Sequence, residues 1–468
     1  MTRISPDQST SSLPFGAWPS PVTTAKLTQS PPGVRESGTN GHSLMWVETR
    51  PQEKGRYVLV MGTPDGPVDV SPEPFNVRNR VHEYGGGSWV AAGDVIVFSN
   101  FADNRLYRLD GLGGEPRPIT PEGPFRFGDL QLDGANNRIV AVREDHSDPE
   151  REPANTIVAL TLDGPNDDGG TVLVTGTDFV SSPRLSRDGS RLAWISWNHP
   201  NMPWDSTVLS WATISADNIL GEPYVVANGQ RESAILPGWD NQGRLVFVSD
   251  RTGWWHLYHL DPGGRLVQRT DGEVEHGVPL WQFGASTWTE LADGTIVTTW
   301  TANGIWRLGS IDGATGSLTQ IDLPFMMMSD VRTHPGGRQV MLKAGSPRES
   351  SALIVVDPVS GKWDYVKPPE DGRLDPGYVS IAESISWATP DGSTAHGFYY
   401  APTNRDVMPP AGELPPLIVE SHGGPTSASS AAFDLGVQFW TSRGFAILDV
   451  NYGGSTGYGR AYRERLNG

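Results

Sequence analysis

Cysteine is absent from the 468 residues, so disulfide bonds, a thiol nucleophile and cysteine-ligated metal sites are excluded. No apolar run approaches the roughly 20 residues that span a bilayer, and we expect no membrane partner. The first residues, MTRISPDQST, contain no apolar stretch typical of a secretory signal. These absences favour a cytoplasmic location, although exported bacterial proteins without cysteine leave the alternative open.

Basic residues are also scarce. Lys and Arg number 36 against 54 Asp and Glu, which gives a formal net charge of −18, and no basic cluster stands out. Such an acidic protein repels phosphate backbones, so nucleic acid is not expected as a partner. Gly (55), Pro (39) and Trp (17) are abundant, and this composition indicates a turn-rich β protein rather than a disordered chain.

One pattern recurs along most of the chain: a turn, an alternating apolar strand, a polar loop and a second strand. Clear copies read GDVIVFSNFADNRLYRLD from Gly93 and GRLVFVSDRTGWWHLYHLD from Gly243. Seven copies, about 45–55 residues apart, begin at Gly41, Gly93, Asn137, Gly189, Gly243, Gly294 and Gly337. Units of this length with four short strands fit propeller blades. The sequence therefore predicts an all-β seven-bladed propeller, with six blades, eight blades or a β-sandwich as alternatives.

The period ends near Asp371. An apolar strand follows at 417–424, then a helix-length stretch and a second apolar strand at 445–452. Strand, helix and apolar strand in this order are typical of a parallel sheet. If nothing further follows, the last strand, 445–452, is expected to be unpaired.

The motif His422-Gly423-Gly424-Pro425 stands at the end of the first of these strands. Glycines there let backbone N–H groups approach a ligand closely, as in the HGGG-type half of an oxyanion hole. We therefore interpret Gly424 and its neighbour Gly423 as candidate catalytic residues. A turn that merely requires glycine is the alternative.

The segment from Gly453 to Gly457 formally matches the nucleophile motif G-x-S-x-G. In hydrolases with this motif the acid and the histidine follow the serine. After Ser455 the only acidic residue is Glu464, and the last of the ten histidines is His422. We therefore do not assign Ser455 as a nucleophile.

VESHGGPTS followed by DVNYGGSTGYGRAYRERLNG resembles the prolyl oligopeptidase family of serine peptidases, nearest its acylaminoacyl-peptidase and dipeptidyl-aminopeptidase-like branch. Propeller phrases also resemble bacterial members, among them NVRNRVHEYGGGSW, SWNHPNMPWD and PLWQFGASTW. The resemblance implies an N-terminal segment (1–33), a seven-bladed propeller (34–370) and the N-terminal portion of an α/β-hydrolase domain (371–468). It also implies that the nucleophile, acid and histidine lie beyond Gly468, so the chain is expected to be an N-terminal fragment that is inactive alone.

Other candidate sites are weaker. His82-Glu83 is not a zinc motif, because Gly86 stands where the second histidine should be. No phosphate-binding loop occurs, and we expect neither metal nor cofactor. Glu83 and Glu275 lie in the family-like propeller phrases; if they face the cavity, they could bind the α-amino group of a peptide, and a structural or solvated carboxylate is the alternative.

The resemblance therefore predicts a serine-type peptidase for short peptides, with the propeller as a filter over the active site. The alternative is a non-catalytic propeller that binds partners and carries a vestigial hydrolase segment, since a propeller by itself specifies no chemistry.

Overall fold

The structure, a computed structural model, describes residues 11–29, 32–313, 315–370 and 373–468. Seven four-stranded antiparallel sheets follow one another along the chain and form the predicted seven-bladed propeller. A further four-stranded mixed sheet follows. Residues 371 and 372, at the proposed boundary between the propeller and the hydrolase portion, lie outside the described residues. Residues 1–10 and 30–31 of the proposed N-terminal segment also lie outside them.

Each blade consists of four consecutive strands. In the first four blades these strands are Val34–Thr39, Leu44–Arg50, Arg56–Thr63 and Gly66–Asp69; Trp89–Ala92, Val95–Ser99, Leu106–Asp110 and Arg117–Pro118; Phe125–Asp133, Arg138–Asp145, Ala154–Thr161 and Thr171–Val174; and Phe179–Leu185, Arg191–Trp197, Val208–Thr213 and Tyr224–Asn228. The last three blades are Ala234–Trp239, Leu245–Ser249, His256–Leu260 and Leu266–Gln268; Trp288–Glu290, Ile296–Ala302, Ile305–Ile311 and Leu318–Ile321; and Met327–Thr333, Val340–Gly345, Ala352–Val356 and Trp363–Lys367. The repeated phrase of the sequence corresponds to the second and third strands of each blade.

The first strands of neighbouring blades contact one another, and Val34–Thr39 of blade 1 contacts Met327–Thr333 of blade 7, which closes the ring. Along the middle strands of each blade, apolar side chains alternate from one face of the sheet to the other and are buried between neighbouring blades. In blade 5, for example, Leu245 and Phe247 belong to a cluster that extends into blade 4. Each blade thus buries its faces against its neighbours, as the length of the repeat predicts.

Buried carboxylates also connect successive blades. Asp129 accepts a 2.8 Å hydrogen bond from the N–H of Ser182, and Asp330 accepts bonds from the N–H and the hydroxyl of Ser37 at 3.1 and 2.8 Å. Asp129 and Asp330 lie at β-bulges with φ of 50° and 61°, which turn their side chains out of the strand pairing. These bonds lock blade 3 to blade 4 and blade 7 to blade 1.

The mixed sheet has the strand order Glu383–Ala388, Thr394–Tyr400, Ala446–Asn451 and Leu417–Ser421. The last two strands are parallel, as expected, and helix Leu435–Thr441 connects them. The expectation of an unpaired strand at 445–452 is wrong. Ala446–Asn451 pairs on both sides, and the two edge strands are Leu417–Ser421 and Glu383–Ala388. The reason is that the hairpin strand Thr394–Tyr400 adds antiparallel to Ala446–Asn451.

The remaining short elements flank these sheets. They are the strand pair Ser11–Ser12 with Val407–Met408, the helices Thr24–Thr28 and Arg460–Arg463, and the 3-10 turns Pro51–Glu53, Gly134–Asn136, Pro376–Tyr378 and Glu464–Leu466. In the described ranges, no helix has both the length and the apolar character needed to cross a bilayer.

Candidate functional site

Two segments that the sequence analysis singled out meet at one edge of the mixed sheet. Strand Leu417–Ser421 leads into the turn 422–425, and the parallel strand Ala446–Asn451 leads into the loop 452–459. Because neighbouring parallel strands end at the same edge, the turn and the loop lie side by side. The N–H of Thr456 donates to Ser427 O at 2.8 Å and ties the loop to the segment after the turn.

The glycine turn presents free backbone donors. Gly423 and Gly424 are both exposed, and among the residues that the structure describes no acceptor contacts either N–H. Gly424 has φ of 139°, and a Cβ there would approach the N of Thr426 to 3.0 Å, so this position requires glycine. A Cβ on Gly423 would meet nothing within 4 Å. The turn can therefore offer N–H groups to an oxygen that carries developing negative charge.

His422 is held in one orientation beside these glycines. Its ring stacks on Tyr452, with centroids 4.5 Å apart, and Tyr452 in turn donates its hydroxyl to Pro425 O at 2.8 Å. Nδ1 of His422 lies 2.8 Å from Gly423 O, and Nε2 lies 2.7 Å from Ser455 Oγ. Because a carbonyl only accepts, Nδ1 carries a proton, and in the tautomer that this bond selects Nε2 accepts from the hydroxyl of Ser455.

The contact between His422 and Ser455 was missed in the sequence, where the two residues are separated by 33 positions. The contact could have been predicted from the two glycine motifs, because each of them directly follows one of two parallel strands and such strands end at the same edge of a sheet. Ser455 is fully buried, and its hydroxyl is engaged by the imidazole. The geometry assigns it to holding His422 and the glycine turn in place.

The propeller contacts the site directly. The indole Nε1 of Trp281 donates to Thr426 O at 2.7 Å, and Thr426 is itself buried. Trp281 belongs to the segment between blades 5 and 6 and packs against Trp204, with ring centroids 4.5 Å apart. The turn therefore rests on a wall of propeller aromatic residues.

A buried ionic cluster anchors the other side of the loop 452–459. Asp250 is fully buried and lies 2.6 Å from the guanidinium of Arg460, and it also pairs with Arg463. The guanidinium of Arg463 stacks over the ring of Trp255 at 4.0 Å. One propeller carboxylate thus holds two arginines of the segment that follows the loop, which fixes the loop against blade 5.

The two carboxylates suggested as ligands for an α-amino group lie in different surroundings. Glu275 is fully buried in the ionic cluster, where Oε1 accepts the N–H of Gly459 at 2.9 Å. Burial raises the pKa of this carboxyl to about 7, and the nearby Arg463 acts in the opposite direction. Glu83 is exposed, pairs with Arg80 at 3.0 Å and lines a propeller cavity that Trp281 also lines. Glu275 does not line that cavity.

Comparisons with known proteins agree with this geometry. Puromycin hydrolase superposes with a TM-score of 0.90 at 36% sequence identity, over 97% of this chain and 72% of that protein. A Mycobacterium tuberculosis puromycin-hydrolyzing peptidase gives a TM-score of 0.91 at 35% identity over the same shares. An uncharacterized peptidase of Bacillus subtilis, YuxL, is 24% identical over 180 residues, which span 36% of this chain and 26% of YuxL. No family model matches the chain.

The resemblance read from the glycine motifs is thus confirmed. The similarity covers nearly the whole chain and includes both the propeller and the edge of the mixed sheet that carries the turn. With a third or more of its residues identical to those of two structurally superposable peptidases, the chain belongs to the prolyl oligopeptidase family.

Proposed function

We propose that this chain is the propeller-bearing, oxyanion-binding part of a serine peptidase that hydrolyses short peptides. The carrying observation is the pair of free N–H donors of Gly423 and Gly424 at the carboxyl end of a parallel strand. When a nucleophile adds to a peptide carbonyl, the oxygen gains negative charge. Preorganised backbone donors stabilise that charge, and a single such donor is worth about 2.7–4 kcal/mol.

The proposal assigns no nucleophile within this chain. Ser455 is buried and donates to His422, and Nδ1 of His422 is turned towards a backbone carbonyl rather than a carboxylate. A nucleophilic serine instead needs an exposed hydroxyl beside a base that a third group orients. We therefore expect the purified chain to be inactive by itself.

The propeller supports a preference for short peptides. Its aromatic wall reaches the turn through Trp281, so a substrate carbonyl at Gly424 is confined between the propeller and the mixed sheet. The channel along the propeller axis encloses a cavity of about 470 Å³. A folded protein cannot enter a space of this size, whereas a flexible peptide of a few residues can.

Sequencing the coding DNA past the codon for Gly468 and expressing the whole open reading frame tests this proposal. An open frame with a strand-borne G-x-S-x-G followed by Asp and His is expected. Its product should hydrolyse aminoacyl-p-nitroanilides, and the 468-residue chain should not. If the whole product binds peptides without hydrolysing them, the proposal is overturned in favour of the non-catalytic binding protein.

A further inference from the structure

The cavity of about 470 Å³ along the propeller axis (the axial cavity) is lined by more basic than acidic side chains. Five cationic residues line it against three carboxylates; they are Arg35, Arg78, Arg184, Arg332 and Lys343, against Glu36, Asp129 and Asp330. The charge of this lining is opposite in sign to the formal net charge of the chain, which is −18. The glycine turn 422–425 contributes no residue to the lining.

Two of these cations are neutralised by carboxylates. Arg184 lies 2.9 Å from Asp129, and Arg332 lies 2.7 Å from Asp330. Both carboxylates stand at the β-bulges that connect neighbouring blades, so these two ion pairs belong to the framework of the propeller. Three cations and one carboxylate of the lining remain, and they are Arg35, Arg78, Lys343 and Glu36.

Aromatic rings, rather than carboxylates, hold the two remaining arginines. The guanidinium carbon of Arg78 lies 4.7 Å from the ring centroid of Phe101 and 5.2 Å from that of Tyr57. The guanidinium carbon of Arg35 lies 5.9 Å from the centroid of the same Tyr57 ring. Among the residues that the structure describes, no carboxylate pairs with either guanidinium. Stacking covers the face of a guanidinium group and leaves the N–H donors along its edge free for a ligand.

The charge of these arginines is reinforced by Lys343 and only partly offset by Glu36. The Nζ of Lys343 donates to the backbone carbonyl of Arg35 at 2.8 Å and lies 4.0 Å from Asp330, which already pairs with Arg332. Glu36 accepts the N–H of Ser88 at 2.9 Å, and burial raises the pKa of its carboxyl to about 7. Like charges that line one cavity repel one another, so an anion that neutralises them is bound favourably.

We propose that the axial cavity binds a compact polyanion, such as a condensed phosphate, through Arg35, Arg78 and Lys343. The edges of the two guanidinium groups match pairs of phosphate or carboxylate oxygens, and the ammonium group adds a third positive charge. A polyanion can neutralise all three cations, whereas an ion of single charge leaves most of their charge unpaired. All three residues belong to the propeller, so the site does not depend on peptidase activity.

Calorimetric titration of the 468-residue chain with tripolyphosphate and with citrate tests the inference. Because the chain as a whole repels anions, binding of one equivalent requires a local site. The variant Arg78→Gln should bind the tighter of the two probes at least about tenfold more weakly than the parent chain does. Tighter binding of tripolyphosphate identifies a phosphate compound as the ligand and tighter binding of citrate a polycarboxylate, and both support the inference. If the parent chain binds neither probe, the inference is overturned.

The variant Arg265→Gln is the matched control, because it also removes one positive charge. Arg265 is exposed, pairs with Asp261 at 3.1 Å and lies outside the axial cavity, so its loss should change the affinity by no more than about twofold. Arg35→Gln is a second cavity variant in case Arg78→Gln does not fold; Arg35 is exposed, and its loss should also weaken binding about tenfold. Circular dichroism checks the fold of each variant. Equal weakening in the cavity variants and the control would show an effect of overall charge and contradict the inference.

Discussion

The indole N–H of Trp281 and the carbonyl of Thr426 form a 2.7 Å hydrogen bond between the propeller and the segment after the glycine turn. The two residues are 145 positions apart, and Thr426 is buried, so no water replaces the bond if it is lost. The position of the turn therefore depends on the propeller as well as on its own strand.

Trp281→Phe should destabilise the chain by about 1–3 kcal/mol, because it keeps an aromatic ring but leaves a buried carbonyl without its donor. Hydrogen exchange should increase in the segment 422–428. Trp363→Phe is the control, since its indole N–H has no hydrogen-bond partner among the described residues. Equal exchange in the two variants would show that the bond does not hold the turn.

Gly424→Ala and Gly423→Ala should differ although they are neighbours. Alanine at 424 is forced into a backbone conformation with φ of 139° and should cost about 1–3 kcal/mol of stability. Alanine at 423 projects into open space and should leave stability within about 0.5 kcal/mol of the parent chain. Urea denaturation measures both, and a similar loss in both would contradict the requirement for glycine at 424 specifically.

Ser455 should not react as a nucleophile. Treatment of the chain with a fluorophosphonate, which labels activated serines, should leave the intact mass unchanged, because the hydroxyl is buried against His422. Labelling that disappears in Ser455→Ala, but persists in the variant Ser427→Ala, would identify Ser455 as the reactive residue after all.

Asp250→Asn should be destabilising by about 3–5 kcal/mol, because it removes the buried carboxylate that pairs with both Arg460 and Arg463. Arg460 then keeps only Glu464, at 3.0 Å, and Arg463 keeps only Glu275, at 3.8 Å. Asp148→Asn is the matched control. Its partner Arg151 lies 3.3 Å away on the surface, where an ion pair contributes at most about 1 kcal/mol. Urea denaturation of the two variants compares them, and equal losses would show that the buried cluster does not anchor the loop.

Glu275 should make stability fall as pH rises from 6.5 to 8. Its pKa is raised to about 7 in the folded chain, so the folded state binds more protons than the unfolded state up to that pH, and the contribution is lost above it. Burial also lowers the pKa of several histidines, and these act in the opposite direction near pH 6.5, so the contribution of Glu275 is taken from the difference between the parent chain and Glu275→Gln. They are His82, His256, His259, His276, His334 and His396. Between pH 6.5 and 8, the free energy of unfolding of Glu275→Gln should change by about 1 kcal/mol less in this direction than that of the parent chain. Burial raises the pKa of Glu36 to about 7 as well, and this contribution is common to the parent chain and the variant.

Much of the architecture follows from local patterns. Alternating apolar residues predict strands such as Leu245–Ser249, and turns at the repeat anchors predict that each strand pairs with the next one in the sequence. A blade requires no other pairing. The order of the mixed sheet was not predictable in this way. Strand 417–421 becomes the edge because a distant hairpin pairs with Ala446–Asn451, and nothing in either strand encodes that choice.

The seven-bladed propeller, the parallel strand pair and the glycine turn as a candidate oxyanion site could be predicted from the amino-acid sequence, because period, spacing and glycine requirements are local properties of the chain. Three relationships became visible in the folded chain alone: Ser455 contacts His422, Glu275 is buried while Glu83 is exposed, and Phe179, Trp197 and Trp281 line one cavity. These relationships join residues that are many positions apart, and the closure of the ring brings them together.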